Sequence, residues 1–387
     1  MKLTTLTLLI ATSLSGSLMA DTSKKAIPTK ATTHKVSAPS MANKSTEAVS
    51  FTQQLDPDLD VALGVKGLSV VSKSYYQEVS GRELKQGVSL NTAGTAAVIR
   101  VTPVKTLVQG KAITPAVIEP DDLELTGASG NFNVNKSGMA IKANSDQLSN
   151  THPGIFKNTA AFVIDEGMGK GNFALKTNRG VADNDRYLIH VFDKNSDVNL
   201  SLKTDRPAFA DQDTLVVSAN LAGASFKTGS NTASLISPDG RQFPMSLANG
   251  KQGVEAKIAL TMDTSREPGE LWKVVLNSES KEGIPRTAEL AVDIHQKTAS
   301  ISNHKFAKGN LSVTINVNEA GRYELRGWMF SQLGKRTEPK AVQYYAKWFE
   351  PGQHQINIPI GAKNATGIVL KQLQLLDQSR LAVLETQ

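Results

Sequence analysis

The feature that most limits what this chain can fold into is an alternation of apolar and polar residues, repeated run after run through its C-terminal half. Val254, Ala256, Ile258, Leu260 and Met262 interleave with Glu255, Lys257, Ala259 and Thr261; Ala288, Leu290, Val292 and Ile294 interleave with Glu289, Ala291 and Asp293. Successive side chains of a strand point to opposite faces, so period two predicts strands with one buried face. Val198–Leu202, Leu215–Leu221 and Trp272–Leu276 repeat the pattern. Ser237-Pro238-Asp239-Gly240 predicts a hairpin joining 232–236 to 242–247, with the glycine supplying the positive φ, and Glu267-Pro268-Gly269 precedes the Trp272 strand. Short strands at this spacing over 198–295 predict an immunoglobulin-like sandwich, here without a disulfide. Residues 296–387 repeat the plan, with strands near 311–317, 323–329, 342–348 and 354–360 and a closing pair near 367–376 and 380–385.

Residues 51–197 are less regular. Strands are expected at 68–71, 96–101, 160–164, 173–176 and 187–192, and 104–158 reads as loop-rich. Ser80-x-x-Glu83 is a capping box that predicts a helical turn over Gly81–Lys85. The expected fold class is therefore mainly β and multidomain: a β-rich irregular domain at 51–197, then two immunoglobulin-like β-sandwiches at 198–295 and 296–387.

The N-terminus predicts export. Lys2 precedes a short apolar stretch, Leu3–Leu14, followed by small residues and Ala20, which reads as a cleaved signal peptide over 1–20. No segment is long and apolar enough to predict a transmembrane span in the mature chain. Residues 21–50 are rich in Ser, Thr, Ala, Lys and Pro and read as a disordered basic leader. Lys2 and this leader carry +4 of the formal net charge of +7, leaving +3 on residues 51–387. The basic balance thus belongs largely to the tail, and no basic stripe predicts nucleic-acid binding. The chain has no cysteine, which excludes disulfides, thiolate metal sites and a cysteine nucleophile. A periplasmic or extracellular location is expected.

SYYQEVSGRELKQGVSLNTAGTAAVIRVTP (74–103) resembles the opening of secreted bacterial proteins grouped as domain of unknown function 4785. SLISPDGRQFPMSL, PGELWKVVL, and GRYELRGWMF followed by AKWFEPGQHQINIPI resemble its two following immunoglobulin-like modules. The resemblance covers most of 68–387 and implies an exported three-domain protein. It carries no catalytic residues over to this chain.

Motifs for chemistry are sparse. None of the six histidines stands in an HExxH spacing, and His190 reads as a strand residue. Gly167-Met168-Gly169-Lys170-Gly171 lacks the Ser/Thr and the helix of a phosphate loop, since Asn172 follows, and reads as a glycine-rich hairpin loop. There is no Gly-x-Ser-x-Gly elbow. Asp183, Asp185, Asp193, Asp197, Asp205, Asp211 and Asp213 crowd the junction of the first two domains. Asp193-x-Asn195-x-Asp197 starts like a calcium loop, but Val198 and Thr204 replace its glycine and glutamate, so only a composite site is conceivable and no metal ligands are assigned.

The remaining candidate is aromatic. Period two puts Tyr323, Leu325 and Met329 on one face and Arg326 and Trp328 on the other; if the 342–349 strand pairs alongside, Tyr345 and Phe349 share that outer face. Aromatic side chains exposed together require a reason: docking on the middle domain, a bulge at Gly327 that turns Trp328 inward, or a ligand platform. Arg326, Trp328 and Tyr345 are the expected ligand-binding residues. No catalytic residue and no cofactor are expected. The reading is an exported, non-enzymatic binding protein for an unidentified protein or glycan at the envelope or outside the cell; the alternative is a secreted hydrolase with its active site in the N-terminal domain.

Overall fold

The computed structural model describes residues 45–108, 111–127, 138–152, 154–250, 253–333, 336–360 and 367–387. The signal peptide expected at 1–20 and most of the 21–50 leader lie outside the described residues. The last two leader residues, Val49 and Ser50, are strand rather than disordered. Among the described residues no helix is long and apolar enough to cross a membrane.

The protein is mainly β, built from several sheets in a multidomain chain. Its N-terminal part contains β1 (Val49–Gln54), β2 (Ser69–Ser72), β3 (Ser74–Ser80), β4 (Val88–Thr92), β5 (Val98–Pro103), β6 (Thr106–Val108), β7 (Lys111–Ile113), β8 (Leu123–Gly127), β9 (Met139–Ala143), β10 (Ala160–Ile164), β11 (Gly171–Thr177) and β12 (Arg186–Phe192), with short helices α1 (Gly81–Gln86) and α2 (Ser145–Thr151). A five-stranded sheet ordered β3-β12-β5-β10-β9 faces a three-stranded sheet ordered β4-β11-β8. Tyr75, Ile99, Val101, Phe162, Tyr187 and Ile189 from the first share one buried cluster with Leu90, Leu125, Phe173 and Leu175 from the second. The period-two positions thus meet across the layers.

The α1 capping box forms in both directions: Ser80 Oγ accepts from Glu83 N at 3.2 Å, and Glu83 Oε2 accepts from Ser80 N at 2.6 Å. The Ser80 hydroxyl, which also donates to Glu83 Oε2 at 2.6 Å, and then the Ser80 amide hold the Glu83 carboxyl below its ordinary range. They also orient the turn so that Leu84 enters the core. Residues 104–158 hold more structure than expected, including β8, β9 and α2. Gly167–Gly171 is not a hairpin loop. It joins β10 to β11, which belong to different sheets. Both neighbours of β10 are already taken by β5 and β9, so the chain must leave the sheet, and it does so through a short 3-10 turn at Glu166–Met168 capped by Asp165.

The middle region contains β13 (Asn199–Lys203), β14 (Ala208–Ala210), β15 (Thr214–Ala222), β16 (Thr232–Ile236), β17 (Gln242–Pro244), β18 (Ser246–Gly250), β19 (Gly253–Ala259), β20 (Trp272–Glu279) and β21 (Pro285–His295). Two five-stranded sheets, β18-β19-β15-β13-β2 and β14-β21-β20-β16-β17, share a single core that includes Leu200, Leu215, Val217, Trp272, Val274, Leu276 and Val292. The expected hairpin pairs Ser234 with Pro244 and Ile236 with Gln242, and Gly240 has φ of 86°. The strand expected over 242–247 splits at buried Met245, where the chain passes from one sheet to the other.

The C-terminal region contains β22 (Ala299–Ala307), β23 (Asn310–Val317), β24 (Gly321–Leu333), β25 (Arg336–Phe349), β26 (Gly352–Pro359), β27 (Ile368–Asp377) and β28 (Ala382–Thr386). Sheets β22-β23-β26 and β1-β25-β24-β27-β28 share the core of Leu311, Val313, Ile315, Tyr323, Leu325, Met329, Ile356 and Leu375. The first two strands therefore sit apart from the rest of the N-terminal region: β1 extends the C-terminal sheet and β2 the middle one.

The junction of the first two regions is closed by a buried ion pair. Arg286 Nη2 lies 2.8 Å from Asp193 Oδ2, with both side chains 0% exposed. Arg286 also donates to Ser196 Oγ and Val198 O, while Asp193 accepts from the Ala93 and Gly94 amides. Gly94 is required here, since a Cβ would lie 2.5 Å from backbone atoms of Asn195 and Ser196.

Candidate functional site

The C-terminal sheet presents its outer face through cross-strand rows. One row runs Phe51 (β1), Tyr344 (β25), Arg326 (β24), Gln374 (β27); the next runs Gln53, Val342, Trp328, Gln372. Directly opposite residues in an antiparallel sheet share a face. The Phe51 and Tyr344 rings stack at 4.7 Å with 17° between their planes. The Arg326 guanidinium lies 5.3 Å from the Tyr344 centroid and 5.9 Å from that of Trp328. Glu324, two residues along the same strand, holds it at 2.7 Å. Gln378 donates to the second oxygen of Glu324, which orients that carboxylate.

Of the three residues expected from sequence, the fold brings together Arg326 and Trp328 but not Tyr345. Tyr345 is paired with Leu325, so it faces inward, packs against the core, and has its hydroxyl pKa raised by burial. Phe349 is likewise in the core. The aromatic that joins Arg326 is Tyr344. The error is one of parity: a strand's register relative to its neighbour decides which alternate set faces outward, and a shift of one residue exchanges the sets.

Trp328 does not turn into the core. Register shifts fall after it, at Met329 and Phe330, and both of those residues are buried. At Gly327 the inward side is filled, since a Cβ would meet Leu370 at 3.2 Å and Leu311 at 3.5 Å. Trp328 remains half-buried on the outer face. The segment between β1 and β2 reaches the neighbouring position, where the Gly64 amide donates at 2.7 Å to Oε1 of Gln372, the residue opposite Trp328 on β27. Phe51 was missed because it begins the segment read as first domain, 293 residues away in sequence from Tyr344, its partner on β25. Its only signal was an isolated aromatic after a polar leader.

Most of the aspartates near the first junction are engaged one by one. Asp183 binds Arg82 and Lys85 at 3.2 and 2.6 Å, Asp185 accepts from the Ala182 amide, Asp211 from the Lys297 amide, and Asp213 from the Ala210 amide and Arg206. Among the described residues no group of three or more Asp, Glu or His is placed to hold a metal ion. His190 is a strand residue as expected, in β12.

Residues 40–193 match the family model described as "Domain of unknown function (DUF4785) N-terminal domain", and residues 295–387 match that of the DUF4785 C-terminal domain. No curated protein matches the chain. Among solved structures, a DUF4785 family protein from Legionella pneumophila subsp. pneumophila str. Philadelphia 1 has 23% identity and a TM-score of 0.71, over 89% of this chain and 92% of that one. At that identity the likeness extends to the fold alone. A tetra-tandem repeat from the extending region of a large adhesion protein has 11% identity and a TM-score of 0.18, too low to bear on this chain. With both terminal domains matched and the fold shared over nearly the whole length, this chain belongs to the DUF4785 family.

Proposed function

We propose that this chain is an exported, non-enzymatic binding protein that takes a glycan on the outer face of its C-terminal sheet. In this reading the signal-peptide-like start sends it to the periplasm or beyond. The domains follow the units expected at 51–197, 198–295 and 296–387, the last two as immunoglobulin-like sandwiches, except that β1 and β2 extend the C-terminal and middle sheets rather than the first unit. The observation that carries the reading is the Phe51–Tyr344–Arg326 row with Trp328 beside it. Flat rings offer an apolar surface to a sugar face. Gln53, Gln374 and Arg326, on the same face, supply hydrogen-bonding groups to hydroxyls. Arg326 is neutralised by Glu324, so it orients the rings and donates without presenting net charge.

The test compares the unaltered chain with Trp328→Ala and Tyr344→Ala on a glycan array and against isolated envelope fractions, with thermal unfolding run in parallel. Weakened binding with an almost unchanged midpoint supports the platform. A midpoint that falls by several degrees while binding persists makes these rings structural. Retention of an envelope protein with no glycan signal assigns the face to a protein partner instead.

A further inference from the structure

A second arginine beside aromatic rings lies in the first region, and its charge is treated differently. Arg100 stands on β5 in the row Tyr76, His190, Arg100, Ala161, on the face of the five-stranded sheet turned away from the shared core. Its Nε and Nη2 donate to His190 Nδ1 at 2.9 and 2.5 Å. Arginine cannot accept, so Nδ1 must be the unprotonated ring nitrogen, and the imidazole is neutral. His190 is 4% exposed and stacks on Tyr76 at 4.6 Å. The Phe156 ring covers the guanidinium at 5.1 Å.

No carboxylate compensates this cation among the described residues. Glu78, two residues from Tyr76 on the same face, is bound to Arg186 at 2.8 Å. Burial holds the Arg100 pKa below its ordinary value. Placing a guanidinium in such surroundings without a counter-charge is unfavourable. His190 uses the Nε–Nη2 edge. The Nη1–Nη2 edge has no acceptor among the described residues, and its two parallel N–H bonds match a planar carboxylate. Thr102, two residues along β5, shares a 3.0 Å hydroxyl contact with Thr159 and adds a polar rim.

We propose that the free edge of Arg100, framed by His190, Tyr76 and Phe156, binds the carboxylate of a small or peptide-borne ligand. This site is in a different region from the aromatic platform and does not rest on it.

The experiment follows thermal unfolding and calorimetric binding of the full chain in sodium succinate, sodium phosphate and sodium chloride at equal ionic strength, for the unaltered protein, Arg100→Lys and Arg100→Gln. Succinate should raise the midpoint above its chloride value, because a ligand bound by the native state stabilises it. Arg100→Lys, which keeps the charge but loses the fork, should bind about tenfold more weakly, and Arg100→Gln should lose the shift. An equal succinate shift in Arg100→Gln, or none in the unaltered chain, overturns the site. A phosphate shift without a succinate shift overturns its carboxylate preference. If Arg100→Gln does not fold, the imidazole ¹⁵N signal of His190 in the unaltered chain decides, assigned by its loss in His190→Gln. Succinate should move it through the shared guanidinium, and an unmoved signal overturns the proposal.

Discussion

Arg326 in the C-terminal sheet and Arg100 in the N-terminal one are nearly the same device. Each projects from an inner strand onto the face away from the core, and each has aromatic rings between 5 and 6 Å from its guanidinium. They differ in counter-charge. Arg326 has Glu324 at 2.7 Å; among the described residues Arg100 has a neutral histidine where Arg326 has a carboxylate. The difference teaches that burial and ring contacts do not identify what such a face offers. Where the charge is paired, the rings are the available surface. Where it is unpaired, the charge itself is.

A third arginine sets the scale and tests the premise most severely. Asp193→Ala would strand Arg286 at 0% exposure without its partner. Breaking such a buried pair costs about 3–5 kcal/mol, measurable by equilibrium denaturation. A loss below ~1 kcal/mol would mean that this fold tolerates a lone buried guanidinium, and would remove the reason to read Arg100 as incomplete.

Acidification comes next. Burial, then the Arg100 charge, hold His190 well below 6.5 in the folded state. Between that depressed value and about 6.5 the unfolded chain binds the proton and the folded one does not, so stability is complete above about pH 6.5 and declines as pH falls below it. Stability measured against pH should show this decline in the unaltered chain and less of it in His190→Gln. An unchanged slope would contradict the neutral acceptor.

Glu324→Gln removes the partner of a partly exposed arginine. The expected cost is about 1 kcal/mol or less. A cost like that of Asp193→Ala would place Arg326 in the interior class and break the contrast. The smallest effect is expected from Phe51→Ala. The ring is 52% exposed, so the loss of its stacking should cost about 0.5 kcal/mol, at the low end for aromatic pairs. A loss of several kcal/mol would show that β1 anchors the C-terminal sheet rather than merely extending it.

Much of the strand content was readable from alternation, because period two is a local consequence of burying one face. Trp272, Val274 and Leu276 fell in the core as their pattern required, and the Ser80 and Glu83 cap formed as spaced. The site was readable only in part. Arg326 and Trp328 were correctly placed on one face, since they are two residues apart on one strand. Tyr345 was not, because its orientation depends on the register of a second strand. Arg100 carried a faint signal, a charge inside the apolar run Ala96–Val101.

The sequence by itself determined which residues can form strands, where the turns fall, and which face of each strand is apolar. These depend on neighbours within a few positions. Only the tertiary structure decided that β1 joins β25 across the whole chain, that Tyr344 rather than Tyr345 meets Arg326, and that Asp193 finds Arg286. Strand pairing and charge compensation are made between residues far apart in sequence, and no local pattern encodes which distant strand, or which distant acid, will arrive.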